Sequence, residues 1–503
     1  MSRLTRTAHL RPLLWSLAAV LLLAGTAAAE ELVLDRALEI AFNRSPTIQG
    51  ARHNLEISHR NLQAQRAALK SRFGLTVTPY EFSKDRVFND LLSAYNTQEQ
   101  THVGARFSIR QPIEMTDGTV SVVQSMDWRE ASSSLATKLG GAARQRTYSS
   151  NLYLQYSHPL FTYNRTKLAL ERLELALENA RLGYAIQRLQ IESGVTRLFL
   201  DLYLKQRNVE ISREELINAN ERYEIIESKV QAGISAREEL LQEGLTRANA
   251  RASLESAQLQ YANALDDFRV QLGLPFELDL TVTADVRKEL VEVDLKEATR
   301  HGLERRMELR QQDIAIQNAM QELVTTDALN EFKGSANFTL GIVGTEEKLG
   351  RIYDEPTRNQ RVTVSFEVPL FDWGEKRHRM AAARESVARS ELTATEERKR
   401  IVAEIRQAHR NLQSQRTQIE IAEKNVENAR LTYEINLERY RNGDLPAKDI
   451  AYYQNQLSRE QINEVGVLIQ YRLALLDLKI RTLYDFARNQ PVAELDHDEE
   501  ALQ

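Results

Sequence analysis

Residues 159–161 spell Pro-Leu-Phe, and so do residues 369–371, 210 positions on. The same offset carries Tyr223 onto Tyr433 and Gly233 onto Gly443, then Tyr261, Ala264, Leu265 and Asp267 onto Tyr471, Ala474, Leu475 and Asp477. A second offset, 261, carries Leu34 onto Leu295, Ala37 onto Ala298 and Arg44 onto Arg305. Chance likeness between helical segments explains scattered Leu and Ala matches, but not a shared tripeptide and a shared glycine at one spacing. The chain is therefore one unit written twice. The first repeat covers 30–275 and the second 295–487, joined by a linker at 276–294. The 51-residue difference between the offsets is extra length in the first copy's β-region.

Each copy changes its hydrophobic period in the same order. In the first, Phe73, Leu75 and Val77 alternate with Gly74, Thr76 and Thr78. Val103, Ala105, Phe107 and Ile109 repeat the pattern, as do Leu152, Leu154 and Tyr156. In the second, Phe338, Leu340 and Ile342 alternate, then Val362, Val364, Phe366 and Val368. Period two predicts strands with one apolar and one polar face, within 73–158 and 335–369. Helical signal follows in both copies, over 162–272 and 373–486, each broken once at a glycine.

The chain has only 20 glycines and 10 prolines in 503 residues, well under the usual shares of about 7 % and 5 %. Unbroken helices are expected. As one helix, the 70 residues from Thr162 to Gln231 would run about 105 Å. Leu168, Leu175, Leu182 and Leu189 form one apolar seam; Leu170, Leu177, Tyr184, Ile191 and Leu198 form another. Positions two apart in a heptad point to roughly opposite sides, so this helix needs a neighbour on each side. Between the seams lie Ala169, Ala176 and Gly183 on one flank, and Glu171, Glu174, Glu178, Arg181 and Arg188 on the other.

The first 29 residues read as a secretory signal. Arg3, Arg6 and Arg11 precede an apolar run from Leu13 to Leu23, and Ala27-Ala28-Ala29 forms a cleavage site. With 66 Lys+Arg against 71 Asp+Glu the net charge is −5, which leaves no basic footprint for nucleic acid. The absence of cysteine excludes disulfides, thiolate metal sites and cysteine nucleophiles. No phosphate loop, zinc-protease motif or nucleophile elbow is present, so no catalytic residue, metal or cofactor is expected. The acidic end, 488–503, is expected to be disordered. Beyond the leader no stretch reaches the roughly 20 apolar residues of a membrane helix.

These features together resemble the TolC-type outer-membrane efflux protein family, over Leu34 to about Phe486. The most specific stretch is Val368-Pro369-Leu370-Phe371-Asp372-Trp373-Gly374, followed by Lys376-Arg377-His378-Arg379. Next come the tip Tyr440-Arg441-Asn442-Gly443-Asp444, with Asp449-Ile450 beyond it, and the helix Ala37 to Pro46. The chain departs from the family at Met307, where a proline is expected, and at Phe161-Thr162-Tyr163-Asn164, which lacks a glycine. It also lacks the lipidated cysteine of many members.

The resemblance implies a mainly α fold with a membrane β-barrel part. Three chains would form a 12-stranded barrel from four strands each, continued by an α-helical barrel. The segment from Ser83 to Thr147 would be either an extra hairpin or an extracellular excursion. The implied function is a passive outer-membrane exit duct of a tripartite efflux or type I secretion system. Its partners would be a periplasmic adaptor, an inner-membrane pump of RND or ABC type, and outer-membrane lipids. The alternative is a periplasmic coiled-coil tether without a pore.

The resemblance also assigns working residues. Ala232, Gly233, Ile234 and Ser235 in one hairpin tip, and Asn442, Gly443 and Leu445 in the other, would face the adaptor. Both glycines also suit a helix C-terminus for purely conformational reasons. Asp449, with Asp444, Glu239 and Tyr440, would form the pore gate, although Tyr452 stands where some members carry a second acid. Pro159, Phe161, Pro369, Phe371, Asp372 and Gly374 would form the strand-to-helix joints.

Overall fold

A computed structural model describes residues 30–90, 93–133, 144–278, 280–284, 288–442 and 444–492. The leader, Gly443 and residues 493–503 lie outside the described residues.

The helices recur in the same order in both halves of the chain. In the first repeat they are α1 (Leu34–Arg44), α2 (Pro46–Ala68), α3 (Arg165–Gln231) and α4 (Arg237–Leu272). In the second they are α5 (Leu295–Arg305), α6 (Met307–Asp327), α7 (Glu375–Arg441) and α8 (Ala447–Thr482). α3 and α7 each have 67 residues, and α4 and α8 each have 36. Ser45, before Pro46, is extended at φ −59° and ψ 127°, as a residue preceding proline prefers. Arg306 adopts φ −58° and ψ 120° before Met307. The second copy thus keeps the break without the proline.

The chain divides into two compact units that cut across the repeats. One comprises residues 1–50, 185–305 and 401–503. Its core holds Phe199, Leu202, Phe268 and Leu272, all nearly inaccessible to solvent, with the two phenylalanine rings 6.0 Å apart. Here the linker is anchored: β1 (Glu30–Leu32) pairs in parallel with β6 (Leu280–Val282). The His409 ring also lies 3.0 Å from the Val293 carbonyl oxygen. Residues at the start of the expected tail fold back, with β10 (Gln490–Pro491) pairing antiparallel to β9 (Tyr484–Asp485).

The other unit comprises 51–184 and 306–400 and contains the large sheet. Its strands are β2 (Arg72–Asn89), β3 (Ala94–Ile113), β4 (Gly118–Ser133), β5 (Gln145–Leu160), β7 (Lys333–Glu346) and β8 (Thr357–Glu367). They are paired antiparallel in that order. The expectation of four strands per chain for the barrel is therefore corrected to six in this sheet among the described residues. Of the two options for 83–147, the structure takes the hairpin, β3 and β4, inside the sheet. The period was hard to see in β4 because Val122 and Val123 are adjacent and Gln124 falls on the apolar side. The register changes between Thr78 and Glu81, and Pro79 sits in this bulge, where a missing N–H costs no ladder bond.

In this unit α3 is tied by ion pairs to α2 and α6, and its seam residue Leu177 is buried. Arg66 of α2 reaches Glu174 at 3.0 Å. Arg310 of α6 forks onto both oxygens of Glu178 at 2.6 and 2.9 Å. Arg172 reaches Glu322, also on α6.

Candidate functional site: hairpin tips and strand-to-helix joints

The first tip closes α3 with a left-handed glycine. Gly233 has φ +73°, the Ile234 amide donates to the Lys229 carbonyl at 2.8 Å, and the Gly233 amide to Val230 at 3.0 Å. This pair of bonds is a Schellman cap. The hydrophobic residue that usually folds back onto such a cap does not: Ile234 is 75 % exposed. Ala232 is also exposed, and Ser235 is half-buried. Nothing lies within 4 Å of where a Gly233 Cβ would stand, so the requirement for glycine there is conformational.

The second tip repeats the long bond, from the Asp444 amide to the Arg439 carbonyl at 2.8 Å. Asn442 and Asp444 are exposed and Leu445 half-buried; Gly443, between them, lies outside the described residues.

Glu239 and Asp449 are the third residues of α4 and α8. There a carboxylate meets the positive end of the helix dipole, which by itself accounts for an acid at both positions. Asp449 is half-buried beside the fully buried Ile450, while Tyr452 is 65 % exposed. The structure does not bring Asp449 and Tyr440 into hydrogen-bond contact. Instead the Tyr440 ring lies 5.7 Å from the Lys229 ammonium of the first hairpin. Its hydroxyl is buried without a hydrogen-bond partner among the described residues. Burial, reinforced by Glu243, pushes its phenol above the ordinary value.

Sequence reasoning missed a buried polar contact one level up from the tips. Arg222 of α3 lies 3.4 Å from Glu243 of α4 and donates to the Gln454 amide oxygen of α8. Glu243 is only 1 % exposed, and its second oxygen has no partner among the described residues. This network ties the two hairpins of one chain together. The sequence did hold a signal: at the 210 offset Arg222 and Glu243 fall on Thr432 and Tyr453, so one copy alone carries the charges.

The joints are capped by Asx side chains. Asp372 accepts the Gly374 amide at 2.9 Å and the Lys376 amide at 3.0 Å, and these two amides hold its carboxyl below the ordinary aspartate range. Gly374 has φ +84°, and Phe371 meets Trp373 edge-on at 4.7 Å. Pro369 sits between β8 and this cap.

The first joint, without a glycine, places Phe161 itself at φ +58°, just after Pro159 and Leu160 end β5. Phe161 packs against Phe332 and Phe366 at 5.2 and 6.3 Å. Asn164 accepts the Lys167 amide at 2.8 Å, and Asp117, from the β3–β4 turn, accepts the Thr166 amide at 3.1 Å.

With this geometry in hand, residues 303–480 match the sequence profile of the outer membrane efflux protein family. No curated protein matches the sequence. Among solved structures, the Campylobacter jejuni CmeC outer membrane channel is 14 % identical with a TM-score of 0.68, over 93 % of this chain and 88 % of that one. The open state of the Neisseria gonorrhoeae MtrE outer membrane channel is 13 % identical with a TM-score of 0.66, over 92 % and 91 %. The Vibrio cholerae outer membrane protein VceC is 15 % identical with a TM-score of 0.63, over 92 % and 97 %. The chain thus has the fold of the outer-membrane channels across nearly its whole length.

Proposed function

We propose that the chain is the outer-membrane exit duct of a tripartite efflux or type I secretion machine. It would act as a homotrimer that an inner-membrane pump and a periplasmic adaptor engage at the hairpin tips. One observation carries this function: the six-stranded sheet has one exposed apolar face and, among the described residues, two edges without partners. Phe73, Leu75, Leu340, Val362 and Phe366 are each more than half exposed. In lipid that face is satisfied, and an open sheet edge is not, so such a sheet must close.

The helices support assembly from more than one chain. Leu241 and Leu245 on α4, and Leu431 and Ile435 on α7, lie one turn apart and are more than half exposed, a pattern that calls for partner surface. A tether would need neither the sheet nor these stripes. No step of chemistry is assigned to the chain itself; the duct is passive and its partners supply energy and selection.

The test is the mass and image of the purified mature chain in detergent. Hollow threefold particles that conduct ions in a planar bilayer are expected. Solid rods or compact monomers would sink the duct.

A further inference from the structure

We propose that the assembled barrel has eighteen strands rather than twelve, closed by pairing β8 of one copy with β2 of the next. The proposal rests on the trimer proposed above and adds the seam. The six strands alternate in direction, so the two edges, β2 and β8, run oppositely. Placing one edge against the other continues the antiparallel alternation without a fault. A single copy cannot close on itself, because membrane barrels begin at about eight strands. Three six-stranded copies reach eighteen, within the range of barrels that leave an aqueous channel.

The register of the sheet fixes how the edges meet. Following one rung across the strands, Arg72 lies opposite Arg110, then Ser121, Gln155, Thr339 and Arg361 in turn. All six side chains are polar, which makes this the lumen face. The rung starts on the first residue of β2 but arrives at β8 six positions before its last, Glu367. Counting the proposed seam as the sixth step, with these two ends level, the ring is staggered by six residues per six strands, or one per strand. That ratio corresponds to a strand tilt of about 36° in closed barrels.

Bringing level the ends of β2 and β8 that adjoin the helices then sets Arg72 of one copy opposite Glu367 of the next. The same register puts Phe73 opposite Phe366, Leu75 opposite Val364 and Val77 opposite Val362. Opposite charges thus meet on the polar face, and apolar pairs meet on the lipid face. Aromatic and β-branched cross-strand pairs of this kind stabilise sheets. A seam shifted by one residue would put every side chain on the wrong face.

A barrel of this width leaves an aqueous lumen rather than a side-chain-filled interior. The β3–β4 hairpin, which widens it, belongs to the frame of the duct: its turn residue Asp117 is bonded to the first turn of α3.

The natural chain has no cysteine, so introduced thiols report without background. In Thr76→Cys/Thr363→Cys, the two positions face each other across the proposed seam. Oxidation is expected to convert the chain into covalent dimers and ring-closed trimers on a denaturing gel, with each single variant staying monomeric. If that pair fails to fold, Leu75→Cys/Val364→Cys tests the same seam from the lipid face. Strand counting by cryo-electron microscopy of the unmodified particle is expected to give eighteen.

Cross-linking of Ser121→Cys/Thr363→Cys instead, or a count of twelve in a three-chain particle, would overturn the proposal by showing β2 and β3 outside the ring. Light scattering reads the copy number separately. A two-chain particle would overturn the trimer and the count with it, even if the seam cross-linked.

Discussion

Asp117 and Thr166 are 49 positions apart, yet the Thr166 amide donates to the Asp117 carboxylate over 3.1 Å. A turn between two strands thus caps the long helix that leaves the sheet. Asp117→Ala removes an N-terminal cap of a kind usually worth about 0.5–2 kcal/mol. Faster hydrogen exchange is expected at the amides of residues 165–168, with no change at the Asp372-capped start of α7. Unchanged exchange at 165–168 would mean that Asn164 suffices as the cap.

The Arg222–Glu243 contact is buried, and breaking one side of such a pair typically costs about 3–5 kcal/mol because the other charge is stranded. Arg222→Leu should therefore loosen the hairpins near their tips, seen as faster proteolysis between α3 and α4. Arg222→Leu/Glu243→Leu should recover most of the protection. A double variant as labile as the single would show that the contact specifies the packing through polarity, not charge balance.

Arg310 holds the Glu178 carboxyl below its ordinary value, chiefly through their hydrogen bonds. A carboxyl depressed in the folded state adds stability that is present above its unfolded pKa and is lost as pH falls through the folded one. The thermal stability of the natural protein should exceed that of Glu178→Gln at neutral pH, with the gap closing on acidification below the ordinary glutamate range. Because both side chains are over a third exposed, the gap should be small and should shrink with salt. A gap independent of pH would assign the effect to packing.

At Gly233 the left-handed backbone is what glycine supplies, and the space around it is open. Asparagine tolerates that conformation, so Gly233→Asn should keep trimer mass and folding. The added side chain stands where the adaptor is proposed to approach, so pump-dependent export is expected to fall, as it should in Gly443→Asp. Full export in both variants would mean that the tips are not the docking surface.

If three Asp449 carboxylates converge on the mouth of the duct, they favour cations there. Asp449→Asn should move the reversal potential in a salt gradient toward that of an unselective pore. An unmoved potential would leave Asp449 as a helix-dipole residue alone.

Helix breakers are scarce in this chain, so each one marks an element boundary: Pro46, Gly233 and the Pro-Leu-Phe joints all fall where elements end. What stayed hidden depends on partners distant in sequence. β4 carries Val123 on the polar side and Gln124 on the apolar side, and only pairing with β3 and β5 fixes its faces. β1 and β6 are three residues each, too short for any period. Arg222 and Glu243 lie 21 positions apart on different helices, and only the closed hairpin brings them together.

The equal lengths of the paired helices, 67 and 36 residues in both copies, give the two hairpins of a chain the same reach. Their ends nevertheless differ, with an exposed isoleucine at position 234 of one and an aspartate at the matching position 444 of the other. In a threefold ring, a partner that gauges only height finds six seats. One that distinguishes grease from charge finds three.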